Sequence, residues 1–161
     1  MESKRPDLKF EAQVRKDLGF LFDQCDAKII SNNYDYRIFG NANIVIKAGD
    51  LFFDVVRDRG DVCVYVAPGP VTRIEGRWAE IGIALAAVLM DDSSGKIPDP
   101  SSYASLSRAA DLLKPALLHL QEGLSESQYE ITSRRMRQIG ASYLKKLQER
   151  SKEKPQYLHY C

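Results

Sequence analysis

Between Ala42 and Ala67 the chain alternates apolar and other residues three times over, and this pattern constrains the fold more than any other feature. Ala42, Ile44, Ile46 and Ala48 alternate with Asn43, Val45 and Lys47. Leu51, Phe53 and Val55 alternate with Phe52, Asp54 and Val56, and Val62, Val64 and Val66 with Cys63, Tyr65 and Ala67. A period of two is that of a β-strand, whose successive side chains point to opposite faces. The breaks, Ala48-Gly49-Asp50 and Asp58-Arg59-Gly60-Asp61, are short and set Gly beside Asp, which predicts tight hairpins with positive-φ positions. Consecutive strands joined in this way form an antiparallel meander. One face is aliphatic throughout and the other is mixed, so helices are expected on the aliphatic side and water on the other.

The flanking segments supply those helices. Phe10, Val14, Leu18, Leu21, Phe22 and Cys25 recur at steps of three and four, predicting one amphipathic helix with Gly19 inside it to admit a close neighbour. Ala27 to Ile30 reads as a first strand that turns at Ser31-Asn32-Asn33, and Pro68-Gly69-Pro70 ends the sheet. From Gly76 a buried helix carrying Trp78, Ile81, Leu85, Val88 and Leu89 is expected, then a Ser/Pro/Asp-rich loop from Asp91 to Ser102. A third helix spans about Tyr103 to Glu122, with Pro115 predicted to kink or split it. Ser127 and Glu130 have the spacing of a capping box opening the last helix.

The expectation is therefore an α+β fold: an N-terminal helix, a three- to four-stranded antiparallel meander, then three to four helices packed on the sheet. A chain of 161 residues suits one domain over 1–161. A subdivision, if drawn, falls at the Asp91 to Ser102 loop, between a helix-sheet-helix unit at 1–90 and a helical part at 103–154.

Little in the chain speaks for catalysis. The only histidines are His119, between two leucines on a helix, and His159 in the tail, and neither has a partner at catalytic spacing. Three widely spaced cysteines, Cys25, Cys63 and Cys161, predict neither a disulfide framework nor a zinc site. No cofactor is expected. Asp54, Asp58 and Asp61 interleave with Arg57 and Arg59, so ion pairing across the hairpin is a better reading than a cation site. The longest apolar stretch, Ile81 to Met90, is too short to span a bilayer, and no apolar leader follows the first charges, so a cytoplasmic protein with no membrane contact is expected.

Charge is unevenly distributed. The net charge is +1, yet Ile131 to Lys154 holds eight Lys or Arg against two Glu, a local +6 that leaves −5 on the remainder. Arg134, Arg135, Arg137, Lys145 and Lys146 on that basic helix are the candidates for nucleic-acid contact. Tyr129, Met136, Ile139, Tyr143 and Leu147 form a stripe that serves either as core or as a homodimer seam.

One resemblance adds to this. The segment Phe39-Gly40-Asn41-Ala42-Asn43-Ile44-Val45, then Leu51 to Val62 with its Arg57-Asp58-Arg59-Gly60 turn and a later tryptophan, Trp78, resembles small bacterial immunity proteins that accompany polymorphic or contact-dependent toxins. It covers Leu18 to Leu89 and says nothing of the C-terminal helices. It implies a non-enzymatic binding module whose partner is a cognate protein toxin, with Asp54, Arg57, Asp58, Arg59 and Asp61 as the partner-binding residues. The acidic body would suit a basic toxin. The alternative is a nucleic-acid-associated or regulatory protein that uses the basic helix.

Overall fold

A computed structural model describes residues 6–35, 37, 40–69, 76–100, 103 and 105–153. Phe39 of the resemblance segment, Pro70, His159 and Cys161 lie outside the described residues.

The fold is α+β: two N-terminal helices, a five-stranded antiparallel meander, and three helices that follow it. The strands β1 (Lys28–Asp35), β2 (Asn41–Ala48), β3 (Leu51–Asp58), β4 (Asp61–Pro68) and β5 (Ala79–Glu80) lie in the order β1-β2-β3-β4-β5. Both expected hairpins form. Gly49 takes φ 60° in the first; Arg59 at 52° and Gly60 at 95° share the second. Two consecutive positive-φ residues give a turn whose twist matches the strands it joins.

Register aligns the aliphatic positions in rows: Ile44, Val55 and Val64 form one, and Ile46, Phe53 and Val66 the next. All six are fully buried. Onto this face pack Phe10 and Val14 of α1 (Leu8–Asp17), Phe20 and Leu21 of α2 (Gly19–Cys25), Ile81, Ala84 and Leu85 of α3 (Ile81–Val88), and Leu113, Leu117 and Leu120 of α4 (Leu106–Gly123). The long α5 (Tyr129–Glu153) leans on α3, and Ile139 is buried there.

Several local expectations fail, each for an identifiable reason. The N-terminal helix breaks at Leu18 (φ −101°, ψ 23°), and a Cβ at Gly19 would meet nothing within 4 Å, so that glycine marks the break and admits no neighbour. Ser31, Asn32 and Asn33 do not turn: they continue β1, held by pairing with β2, and a bulge between Ile29 and Ser31 takes up the irregularity. Trp78 is only half-buried and precedes β5; α3 starts at Ile81, where the Glu80 carboxylate accepts the N–H groups of Gly82 and Ile83. Pro115 does not split α4, because it sits on the solvent side, where water can take up the carbonyl left without an N–H donor. The Ser127–Glu130 capping box does not form; Ser125 instead receives Tyr129 N–H on its carbonyl (2.8 Å) and α5 begins at Tyr129.

The edge of β4 is closed by an unusual contact. β5 pairs only with Tyr65 and Val66, which would leave the outward N–H and C=O of Val64 without partners. The Tyr103 phenol fills that place, accepting from Val64 N–H (2.8 Å) and donating to Val64 C=O (3.2 Å). Burial and the neighbouring Glu80 push the Tyr103 phenol far above its ordinary range, so it stays protonated and can serve both bonds.

Candidate functional site

The sheet face opposite the helices carries Ser31, Asn33 and Asp35 of β1 beyond the bulge, the odd-numbered positions of β2 and the even-numbered positions of β3. In register these place Asn33 against Asn43, and Val45 against Asp54, with Tyr65 on the far side of Asp54. A row of side-chain hydrogen bonds runs across these strands. The Asn33 amide donates to Ser31 Oγ (2.7 Å) and to Asn43 Oδ1 (3.3 Å), and the Asn43 amide donates to Asp54 Oδ1 (3.1 Å). The four side chains are half-buried, so each bond is partly sheltered from water.

Asp54 stands at the end of this row. Among the described residues only the Asn43 amide bonds its side chain, and no cation approaches it. Burial pushes its carboxyl above the ordinary range, and the bond from Asn43 only partly opposes that. Half-buried Val45, Val56 and Tyr65 surround it, whereas Phe52, Cys63 and Ala67 on the β3–β4 part of the same face are buried, so water does not reach the whole of this face as expected. No buried side-chain nitrogen or oxygen of the described residues lacks a partner, so Oδ2, which none of them bonds, reaches the surface.

The other residues that resemblance singled out separate into two groups. Arg57 turns to the helix side. Its guanidinium pairs with Asp7, donates to Gly40 O (3.0 Å) and lies 4.7 Å from the centre of the Phe10 ring. Its side chain is 26% exposed, against 75% for Arg59. Asp7 also caps α1 through Phe10 N–H (2.9 Å), so one carboxylate joins a helix start to the middle of the sheet. Burial alone would raise the Asp7 carboxyl, but the Phe10 N–H and Arg57 outweigh it and hold it below its ordinary value. Arg57 is thus a tether within the fold.

Asp58, Arg59 and Asp61 stay on the exposed hairpin tip, where Arg59 comes within 4.0 Å of Asp58 and its N–H donates to Asn41 Oδ1 (3.1 Å). Asp54 does not join them. Among the described residues no group of three His, Cys, Asp or Glu side chains is placed to hold a metal ion. His119 is exposed on α4, and Cys25 and Cys63 are free thiols.

Comparison with protein families, curated proteins and solved structures finds no match to this chain. The site must therefore be judged on its own chemistry.

On α5, two of the five basic candidates serve the fold. Arg135 pairs with Asp92 and donates to Ala87 O (3.4 Å), and Lys146 pairs with Asp99. The segment after α3, including a short 3-10 helix at Asp92–Ser94, is thereby strapped to α5. Arg134, Arg137 and Lys145 remain exposed, Arg134 at 4.0 Å from Glu130. Of the stripe from Tyr129 to Leu147, Ile139 is buried and Tyr129 and Met136 pack against the core, so its first half serves the fold. No helix of the described residues is long and apolar enough to cross a membrane.

Asn33 is the residue that sequence reasoning missed. It looks like a turn former, and only the lateral register of β1 on β2 brings it to Asn43.

Proposed function

We propose that this chain is a non-catalytic, cytoplasmic binding module of the immunity type, which neutralises a cognate bacterial toxin by docking it on the helix-free face of the sheet. The observation that carries this reading is the hydrogen-bonded row Asn33–Asn43–Asp54 set among Val45, Val56 and Tyr65 on that face. Side chains already held by one another lose little further freedom when a partner arrives. Interfaces draw most of their energy from a few anchors that fit pockets shielded from water, and a half-buried carboxylate beside apolar side chains offers one for a basic anchor. Asp58, Arg59 and Asp61 at the hairpin tip then act as the rim, where charge steers encounter more than it adds affinity. The likeness of the Phe39–Val45 and Leu51–Val62 segments to immunity proteins supports the same reading.

The basic-helix alternative draws less support, since Arg135 and Lys146 are engaged with Asp92 and Asp99. Co-expression with the product of the neighbouring gene, followed by affinity capture and a growth assay, tests the proposal. A stoichiometric complex with restored growth is expected; neither a complex nor protection would sink it. Retention of DNA or RNA that weakens steeply with salt and is lost on reversing Arg134 and Arg137 would favour the alternative.

A further inference from the structure

The helix-free face, already proposed as the docking surface, contains one group whose chemistry selects a specific occupant, and the choice of that occupant rests on the docking proposal. Of the carboxylates on this face, Asp35 has Arg37 within 3.5 Å and Asp58 has Arg59 within 4.0 Å. Among the described residues Asp54 has only a neutral amide. The bonds also run in sequence: the Asn33 amide donates to Asn43 Oδ1, and the Asn43 amide donates to Asp54 Oδ1, which leaves Oδ2 as the open acceptor. A carboxylate held part-way out of water by Val45, Val56 and Tyr65 gains more from a cation than a fully hydrated one does, because the lower local dielectric strengthens the attraction.

We propose that Asp54 is the receptor for a single arginine or lysine side chain on the partner's surface, whose charged head meets Oδ2 while its methylene stem lies on Val45 and Val56. Three features agree on this occupant. The charge is complementary, and no cation among the described residues already meets it. The apolar collar matches a stem that buries its methylenes while presenting a charged tip. The amide row fixes the carboxylate, so a planar guanidinium meets a preset acceptor. An anionic partner group would be repelled by Asp54, and a neutral donor would bond Oδ2 without the added attraction between opposite full charges.

The test uses the full-length protein, isotopically labelled for NMR, titrated with the peptide acetyl-Val-Arg-Val-amide and, in parallel, with the same peptide carrying citrulline, a neutral isostere, in place of arginine. Amide shifts centred on Asn43, Val45, Asp54, Val56 and Tyr65 are expected with the arginine peptide. The citrulline peptide and the Asp54→Asn variant should each weaken binding by about tenfold, as befits one charge-assisted hydrogen bond. Asn at this position keeps an acceptor for Asn43, and a thermal melt verifies the variant's fold. Equal binding of the two peptides, shifts that survive Asp54→Asn, shifts centred elsewhere, or no shifts would each overturn the assignment. A positive titration together with failure to capture any product of the neighbouring gene would retain the cation receptor and discard the toxin-neutralising reading.

Discussion

The Tyr103 phenol offers the sharpest test of how the sheet is closed. Replacing it by Phe keeps the ring, and with it the packing, but deletes one oxygen that both accepts from Val64 N–H and donates to Val64 C=O. Val64 is fully buried, at 0% exposure. Each hydrogen bond contributes about 1 kcal/mol net, and leaving the buried groups unpaired adds desolvation cost, so Tyr103→Phe should cost about 2–3 kcal/mol. With a urea dependence near 2 kcal/mol per molar for a domain of this size, the unfolding midpoint should fall by roughly 1 M with an unchanged slope. Hydrogen exchange should locate the loss: the Val64 amide becomes less protected while those of Val55 and Ile44, interior to the sheet, keep their protection. A midpoint within about 0.2 M of wild type would refute the idea that the phenol substitutes for a missing stretch of β5.

Other substitutions probe the remaining joints. Arg57→Ala removes the Asp7 pair, the Gly40 bond and the Phe10 ring contact, and should cost about 2–3 kcal/mol by urea titration, with Arg57→Lys restoring only part because ammonium cannot reproduce the fork. Gly123→Ala sets a Cβ 2.5 Å from Val88 Cγ1, so it should destabilise by about 1–2 kcal/mol despite Ala's better helix propensity, and Val88→Ala in the same chain should relieve most of it. Asp54 has a folded-state pKa above its unfolded value of 3.8, so its contribution to stability is present below that value and is lost as pH rises through the folded pKa. Asp54→Asn should therefore melt higher than wild type at neutral pH, with the gap closing toward pH 4; a lower melt at pH 7 would contradict this. Asp7 runs the opposite way, since its depressed pKa gives stability above 3.8 that is lost as pH falls through the folded value, and Asp7→Asn should flatten the acid limb of a pH–stability curve.

How much of the molecule was legible in the sequence depends on which forces set each feature. The meander was legible because burial of one sheet face imposes a period of two on Ile44, Ile46, Phe53, Val55, Val64 and Val66, and no tertiary accident can disguise that. The tight hairpins were legible from Gly49 and Gly60, since positive φ leaves few residue choices. Features decided by a neighbour's position were not. Pro115 carries a strong local signal to break a helix, but the signal does not reveal that its side chain faces water. Trp78 carries an apolar signal without revealing that it lies ahead of both β5 and α3, and Ser127–Glu130 has the spacing of a cap without the backbone geometry. The candidate site followed the same division. Asp54 could be noticed as an acid on an apolar strand, but its partners are set by register, and Asn33 becomes visible only when β1 is laid beside β2. Arg57 looked like its neighbour Arg59, although the pleat sends one to the core and leaves the other at a turn.

The bulge at Ile29–Ser31 has a consequence for how a partner can engage this sheet. By interrupting the regular spacing of N–H and C=O groups along the outer side of β1, it denies an incoming extended peptide a full ladder, and the short β5 with the Tyr103 plug denies it the other end. For the partner proposed above, recognition would thereby move from backbone to side chains. Backbone pairing accepts almost any sequence, whereas docking on a face composed of Asn33, Asn43, Val45, Asp54 and Val56 would discriminate by identity. Each of those positions points away from the helices, so exchanging them leaves undisturbed the rows that hold the molecule together. A scaffold organised this way can vary the surface of one face residue by residue while its architecture stays constant.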